Sequence, residues 1–247
     1  MAERSRLDIL LVERGLAESR QRAVALILAG KVQVDGCQAS KAGQRVSAEA
    51  KVELLDQDET YVGRGGFKLA SALDSFSMEV AHLVVMDVGA STGGFTDCLL
   101  QRGAKKVYAI DVGYGQLAWQ LRQDPRVVTV ERCNVRYLTS EQVSELVDLA
   151  VIDTSFISLT KVIPKVLEFV KGGGQLLALI KPQFEVGRGQ VGKGGVVRDR
   201  ELHGQVVRKI EQFCQSQGME VRGVKESSLL GPKGNLEFFI FAVKFER

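Results

Sequence analysis

Four side chains stand where an α/β sheet would place reactive groups. Asp153 follows the apolar run LAVI, and Lys181 follows LLALI. Ligands of an open α/β sheet sit outside the carboxyl ends of its strands, so both residues mark that edge. Glu237 precedes FFIFAV. If this last strand runs antiparallel to the others, its start lies at the same edge, close to Lys181. Lys68 belongs to the helical stretch FKLASALDSF ahead of the first strand and can approach from outside. Any one of these alone reads more simply as a structural salt bridge or a solvated charge. Together, two amines and two carboxylates describe a proton-handling site. A desolvated lysine can remove a weakly acidic proton or stabilise a forming alkoxide. Neighbouring carboxylates favour its ammonium form, and a second amine opposes them. Both roles stay open for Lys181, with Asp153 and Glu237 orienting it and Lys68 holding a substrate or tuning the charge.

A ligand for that edge is suggested by DVGASTGGFTD, residues 87–97. Asp87 ends an apolar strand. Gly89, Ala90, Ser91, Thr92, Gly93, Gly94 and Phe95 then turn into a helix, where backbone N–H groups can approach a ligand closely. The glycine spacing is not the GxGxxG of a dinucleotide fold. Asp111 ends the next strand, KKVYAID, about twenty residues past Gly89, where a carboxylate accepts hydrogen bonds from ribose hydroxyls. The third, RVVTVERCN, ends near Asn134, which is placed to touch an adenine edge. With no Walker lysine near the turn, a nucleoside triphosphate is disfavoured. A nucleoside cofactor lacking a pyrophosphate, S-adenosylmethionine, fits best; NAD is the rival, and a packing turn without ligand comes third. With a sulfonium donor the four polar residues imply methyl transfer to a ribose hydroxyl, which requires an in-line approach and loss of a proton but no metal.

The elements that must position these residues fall into two modules. From residue 83 the chain alternates strands and helices (HLVVMDVG, KKVYAIDVG, RVVTVE, VDLAVIDTS, GGGQLLALIKP). Runs this apolar belong to strands covered on both faces, hence a largely parallel sheet. VRGVKES and NLEFFIFAVKF close the chain as an antiparallel hairpin. Before residue 60, RLDILLVERG reads as a short amphipathic helix, and LAESRQRAVALILAG as a second one capped by Ser19 and stopped by Gly30. KVQVDGCQA then turns at Asp35-Gly36 as a hairpin. Three glycines beside Arg64, in the join at residues 61–82, suggest a hinge or a close backbone approach.

The 247 residues are 45% hydrophobic and 26% charged with a net charge of +3, values that by themselves select no partner. Distribution says more: residues 1–45 carry eight Lys/Arg against five Asp/Glu, and residues 181–198 four against one. Arg14, Arg20 and Arg22 lie on or beside the first two helices. The stretch EVGRGQVGKGGVVRD places Arg188, Lys193 and Arg198 on a glycine-rich loop next to Lys181. A polyanion partner fits this pattern, and a solvated basic face is the alternative. Four scattered cysteines and two histidines, His82 and His203, give no metal-ligand spacing, and both histidines read as surface or strand-edge residues. Neither a signal peptide nor a membrane span is visible, so a cytoplasmic protein is expected.

YVGRGGFKL, DVGASTGGFTD, VIDTSFISL, KPQFEVGRGQVGKGGVVRD and GPKGNLEFF together resemble the hemolysin A-like (TlyA) proteins among the FtsJ-like ribosomal RNA methyltransferases. RLDILLVERGLAESRQRAVALILAGKVQVDG is similar to an S4 RNA-binding domain. The resemblance implies a Rossmann-like α/β methyltransferase sheet at 83–247, mostly parallel with the C-terminal antiparallel hairpin. A small α+β S4-like domain at 1–60 would precede it. It maps a catalytic tetrad onto Lys68, Asp153, Lys181 and Glu237, and a cofactor site onto Gly89 to Phe95, Asp111 and Asn134, beside Asp87. Contacts to ribosomal RNA would come from Arg6, Arg20, Arg22, Arg64, Arg188 and Lys193. The implied activity is 2′-O-methylation of a cytidine ribose in ribosomal RNA or subunits. Gly63 stands where relatives often have Ser, and Arg200 where Pro commonly opens a helix; neither touches the tetrad. Three other readings are an inactive RNA-binding or ribosome-assembly protein, a methyltransferase of small molecules, and a membrane-lysing hemolysin. No strongly amphipathic lytic helix supports the last.

Overall fold

A computed structural model describes residues 4–28, 30–54, 61–192 and 194–246. The chain divides into two compact units, Met1–Arg64 and Gly65–Arg247.

In the first unit, β1 (Arg4–Arg6) leads directly into α1 (Leu7–Glu13), and α2 (Arg20–Leu28) follows. Leu7, Leu10, Leu11, Ala23 and Ile27 recur at helical spacing and are buried together with Val32. Ser19 caps α2 by accepting the N–H of Arg22 at 3.2 Å. The strands β2 (Val32–Val34), β3 (Cys37–Gln38), β4 (Arg45–Ser47) and β5 (Val52–Leu54) form two small antiparallel sheets, β1-β4 and β3-β2-β5. Asp35 and Gly36 both take the left-handed conformation, as a two-residue hairpin turn requires.

The second unit is one seven-stranded sheet in the order β11-β12-β10-β9-β6-β7-β8. Its strands are β6 (Val84–Val88), β7 (Lys106–Ile110), β8 (Val127–Val130), β9 (Val147–Ile152), β10 (Val170–Ile180), β11 (Met219–Glu226) and β12 (Phe238–Lys244). The helices are α3 (Gly65–Ser75), α4 (Gly94–Gln101), α5 (Trp119–Gln123), α6 (Ile163–Leu167), α7 (Pro182–Glu185) and α8 (Arg200–Ser216). β6 to β10 pair in parallel, whereas β12 runs antiparallel to both β10 and β11. All five residues of β6 are buried, the mark of a strand covered on both faces. One of the five is Asp87. Chain order reverses at β6, flanked by β7 on one side and β9 on the other, and this reversal opens a crevice at the carboxyl ends. Register does the rest: Ile180 pairs with Phe238, so Lys181 and Glu237 are the next residues at one sheet edge.

His203 departs from the expectation of a surface or strand-edge residue. It lies buried on α8, with Nε2 2.9 Å from the Val197 carbonyl and its ring edge-on to Phe238. The apolar stripe of α8 carries it inward, and a backbone carbonyl satisfies it there. His82 is exposed, as expected.

Candidate active site

The four polar residues form two ion pairs at the carboxyl edge. Lys181 Nζ lies 2.5 Å from Asp153 Oδ1 and donates to Ser155 Oγ at 3.1 Å. Lys68, carried inward on the first turns of α3, donates to Glu237 Oε2 at 2.6 Å. Lys68, Lys181 and Glu237 are all buried. Gln183, two residues past Lys181, donates to Glu237 Oε1 at 3.3 Å and so links the two pairs. A buried ion pair is a costly arrangement that adds little net stability, so its retention at a crevice is a reason to look for chemistry there.

Beside these pairs lies a cleft of about 560 Å³ lined by Gly89, Ser91, Asp111, Asn134, Asp153 and Ser155 among others. Gly89 is required at its floor. It has φ +89°, and a β-carbon there would meet the Asp153 carbonyl oxygen at 2.5 Å. Its absence lets β6 and β9 close on each other at the switch point, bringing Asp153 to the cleft. Asp111 accepts the Ser91 N–H at 2.8 Å and the Gly113 N–H at 2.6 Å, which fixes both walls around its carboxylate. Asn134 caps a short 3₁₀ turn by accepting the Arg136 N–H at 3.2 Å.

Other residues of the glycine turn support the cleft without lining it. Gly93 starts α4 with φ +98°, and a side chain there would collide with Leu117 and Leu121. Ala90, Gly93, Gly94 and Phe95 are buried, and Phe95 stacks on Phe239 with ring centroids 6.1 Å apart. Thr92 accepts the Ala118 N–H through its carbonyl at 3.1 Å. Asp87 lies beneath the turn. Its Oδ2 accepts the Thr96 hydroxyl at 2.6 Å, while Oδ1 is buried with no hydrogen-bond partner among the described residues. Burial pushes this carboxyl up to about 7; the Thr96 hydrogen bond opposes the rise, and the Asp153 and Asp111 carboxylates add to it.

Among the basic residues, Arg22 is exposed and Arg64 lies at the surface. Arg6 and Arg20 both pair with Asp8. Arg14 is engaged internally: its guanidinium donates to the carbonyls of Ala50 at 2.7 Å and Ala48 at 2.5 Å. Arg188 lies in a 3₁₀ turn, Arg188–Gln190, and Lys193 lies outside the described residues. The glycine-rich loop is pinned more firmly than its composition suggests. Buried Asn235 accepts the Val197 N–H at 3.1 Å and donates to the Gly195 carbonyl at 3.0 Å, two residues from Glu237. Glu185 is a second fixing point that sequence reasoning missed. Its carboxylate accepts the Ser158 hydroxyl at 2.6 Å and the Leu159 N–H at 2.7 Å, tying the loop after Asp153 to the helix after Lys181. The sequence signal for it was slight, an acidic residue set between Phe184 and Val186. Among the described residues no group of three or more His, Cys, Asp or Glu side chains is arranged to hold a metal.

The FtsJ-like methyltransferase model matches residues 61–244, and the S4 domain model matches residues 5–52. The chain belongs to the TlyA family of FtsJ-like methyltransferases. It is 50% identical to the Mycobacterium tuberculosis 16S/23S rRNA (cytidine-2′-O)-methyltransferase TlyA, over 98% of this chain and 90% of that one. Hemolysin A of Brachyspira hyodysenteriae is 40% identical over 94% of this chain and 97% of its own. A solved structure from Streptococcus thermophilus, which also carries a hemolysin name, superposes with a TM-score of 0.75 at 40% identity. That match covers 99% of this chain and 90% of the other. The S-adenosylmethionine-dependent methyltransferase of Mesorhizobium loti shares the fold at a TM-score of 0.53 and 16% identity, covering 74% of this chain and all of that one. This FtsJ-like methyltransferase has, among its described residues, no helix long and apolar enough to cross a membrane.

Proposed function

We propose that this methyltransferase transfers a methyl group from S-adenosylmethionine to a ribose 2′-hydroxyl of ribosomal RNA, with cytidine as the target nucleotide. The observation that carries the reading is the contact of buried Lys181 with Asp153, a residue that lines a nucleoside-sized cleft, with the buried Lys68–Glu237 pair at the same sheet edge. The names of the similar TlyA proteins supply the substrate class.

The cleft fits the donor. Gly89 provides a floor without a side chain, Asp111 keeps lone pairs for ribose hydroxyls beyond the two N–H groups it accepts, and Asn134 offers an amide to an adenine edge. When bound, S-adenosylmethionine supplies an electrophilic methyl on a sulfonium. Lys181 meets the attacking hydroxyl. It accepts the hydroxyl proton as a free amine, or as an ammonium it holds the developing alkoxide while the proton passes to solvent water; in either case the methyl would be taken from the sulfonium as the ribose oxygen attacks. Asp153 and Ser155 fix the direction of its Nζ. Glu237 and Lys68 form the second pair at this sheet edge, and Gln183, two residues past Lys181, donates to Glu237. Arg6, Arg20, Arg22, Arg64, Arg188 and Lys193 are the cations offered to the RNA backbone.

The test is methyl incorporation from labelled S-adenosylmethionine into purified ribosomal subunits, followed by mapping of the modified ribose. Lys181→Ala is expected to abolish incorporation while circular dichroism and donor binding are retained. Undiminished transfer would remove Lys181 from the mechanism.

A further inference from the structure

Asp8 is a carboxylate that neither the reaction nor the donor cleft uses, and it is almost fully buried, at 1% exposure. It sits in the first turn of α1, where the helix N-terminus favours a negative charge. Two arginines from different elements converge on it. Arg6, the last residue of β1, forks onto it through Nε to Oδ1 and Nη2 to Oδ2, both at 3.0 Å. Arg20, at the start of α2, reaches Oδ2 through Nε at 2.8 Å. Both guanidiniums remain open to solvent, with side-chain exposures of 42% and 61%.

The surroundings add positive charge. Arg45 is exposed directly across the strand pair from Arg6, a like-charge juxtaposition that costs stability unless an anion is present. Gly43 leaves room for the Arg6 guanidinium: a β-carbon there would stand 3.1 Å from Nη2. The Arg6 hydrogen bond holds the Asp8 carboxyl well below the usual carboxylate range, against desolvation and with Arg20 adding to the effect. It is therefore a permanent anion shared by two cations, and the trio keeps a net positive charge. Each guanidinium carries five N–H donors, so both retain unused donors facing outward.

We infer that Asp8 is a positioning residue for RNA binding: it locks Arg6 and Arg20 into one rigid, outward-facing fork for backbone phosphates. The inference rests on the reading of this chain as an RNA methyltransferase. Its physical basis is that an arginine fixed before binding loses less rotamer freedom when it meets a phosphate.

The test separates positioning from charge, because the two predict opposite signs. Asp8→Asn removes a negative charge from a basic surface. Simple electrostatics then makes the full chain bind ribosomal subunits more tightly. If Asp8 positions the arginines, binding weakens roughly tenfold, as expected when two rotamer-rich side chains are freed. The slope of log affinity against log salt would also flatten by about one for each phosphate that is no longer engaged. In an Arg6→Gln/Arg20→Gln background, adding Asp8→Asn is expected to cause no weakening of binding, leaving only the electrostatic gain, which a general structural role for Asp8 would not reproduce. Should Asp8→Asn fail to fold by circular dichroism, Arg20→Lys decides. It keeps the charge and loses the fork, and is expected to weaken binding severalfold. Equal or tighter binding by a folded Asp8→Asn, or by Arg20→Lys in its place, overturns the inference. Failure of the unmodified chain to bind subunits at all would instead sink the RNA reading itself.

Discussion

Asp87 gives the sharpest prediction. It is the one acidic residue in a strand whose five positions are all buried, and only one of its oxygens has a partner, Thr96. Its carboxyl stands at about 7 in the folded protein against an ordinary value of 3.8. A group whose folded value is raised contributes stability that is fully present below the unfolded value and is lost as pH rises through the folded one. The contribution of Asp87 to stability should therefore decline between about pH 4 and pH 7 and level off above that. Between about pH 5 and pH 8 the loss from this one group amounts to about 3 kcal/mol, at 1.36 kcal/mol for each pH unit. Asp87→Asn removes the titration but keeps an oxygen for the Thr96 hydroxyl. Urea unfolding of both proteins across this pH range isolates the effect, since titrating groups that do not interact with Asp87 cancel in the difference. The variant should gain on the parent as pH rises, by an amount approaching about 3 kcal/mol. A stability difference that stays constant from pH 5 to pH 8 would refute the assignment of Asp87 as a carboxyl destabilised by burial.

Gly89→Ala should cost about 1–3 kcal/mol in backbone strain alone, and the clash with the Asp153 carbonyl at 2.5 Å should lower donor affinity as well; calorimetry with S-adenosylmethionine reads this out. Lys68→Met should destabilise the second unit by about 3–5 kcal/mol by leaving buried Glu237 unpaired. Adding Glu237→Gln should recover most of that stability without recovering methyl transfer, and recovery of both would show the pair to be purely structural. For the thiols, Cys37 is exposed whereas Cys98, Cys133 and Cys214 are buried, with the Cys214 thiol pushed up to about 12 by burial. One thiol should thus react rapidly with a disulfide reagent in the native protein and four in denaturant, and fast native reaction of more than one would contradict this packing.

Local sequence signals determined the class of both units, the glycine turn, and the strand ends where Asp111, Asp153 and Lys181 stand; Asn134 lies four residues past the end of β8, at the cap of a 3₁₀ turn. Each of these signals is written within a few residues: an apolar run of strand length, a turn residue, then a polar group at the mouth of the sheet. The first unit was legible for the same reason, from helical spacing, a serine cap and an Asp-Gly turn. The tertiary structure alone decided which groups meet. Lys68 and Glu237 are separated by 169 positions and join because β12 runs antiparallel to β10 in one particular register. Within the glycine turn, Gly89 and Ser91 face the cleft while Gly93 and Phe95 face the core, a distinction set by the packing of α4 on its neighbours. The tie between Glu185 and the loop after Asp153, the inward turn of His203 on α8 and the sharing of Asp8 by two arginines have no local signature either. Turns and strand ends are fixed by forces acting along a few bonds of chain. The pairing of charges is fixed by strand register and helix packing, which bring distant segments together only once the core has closed.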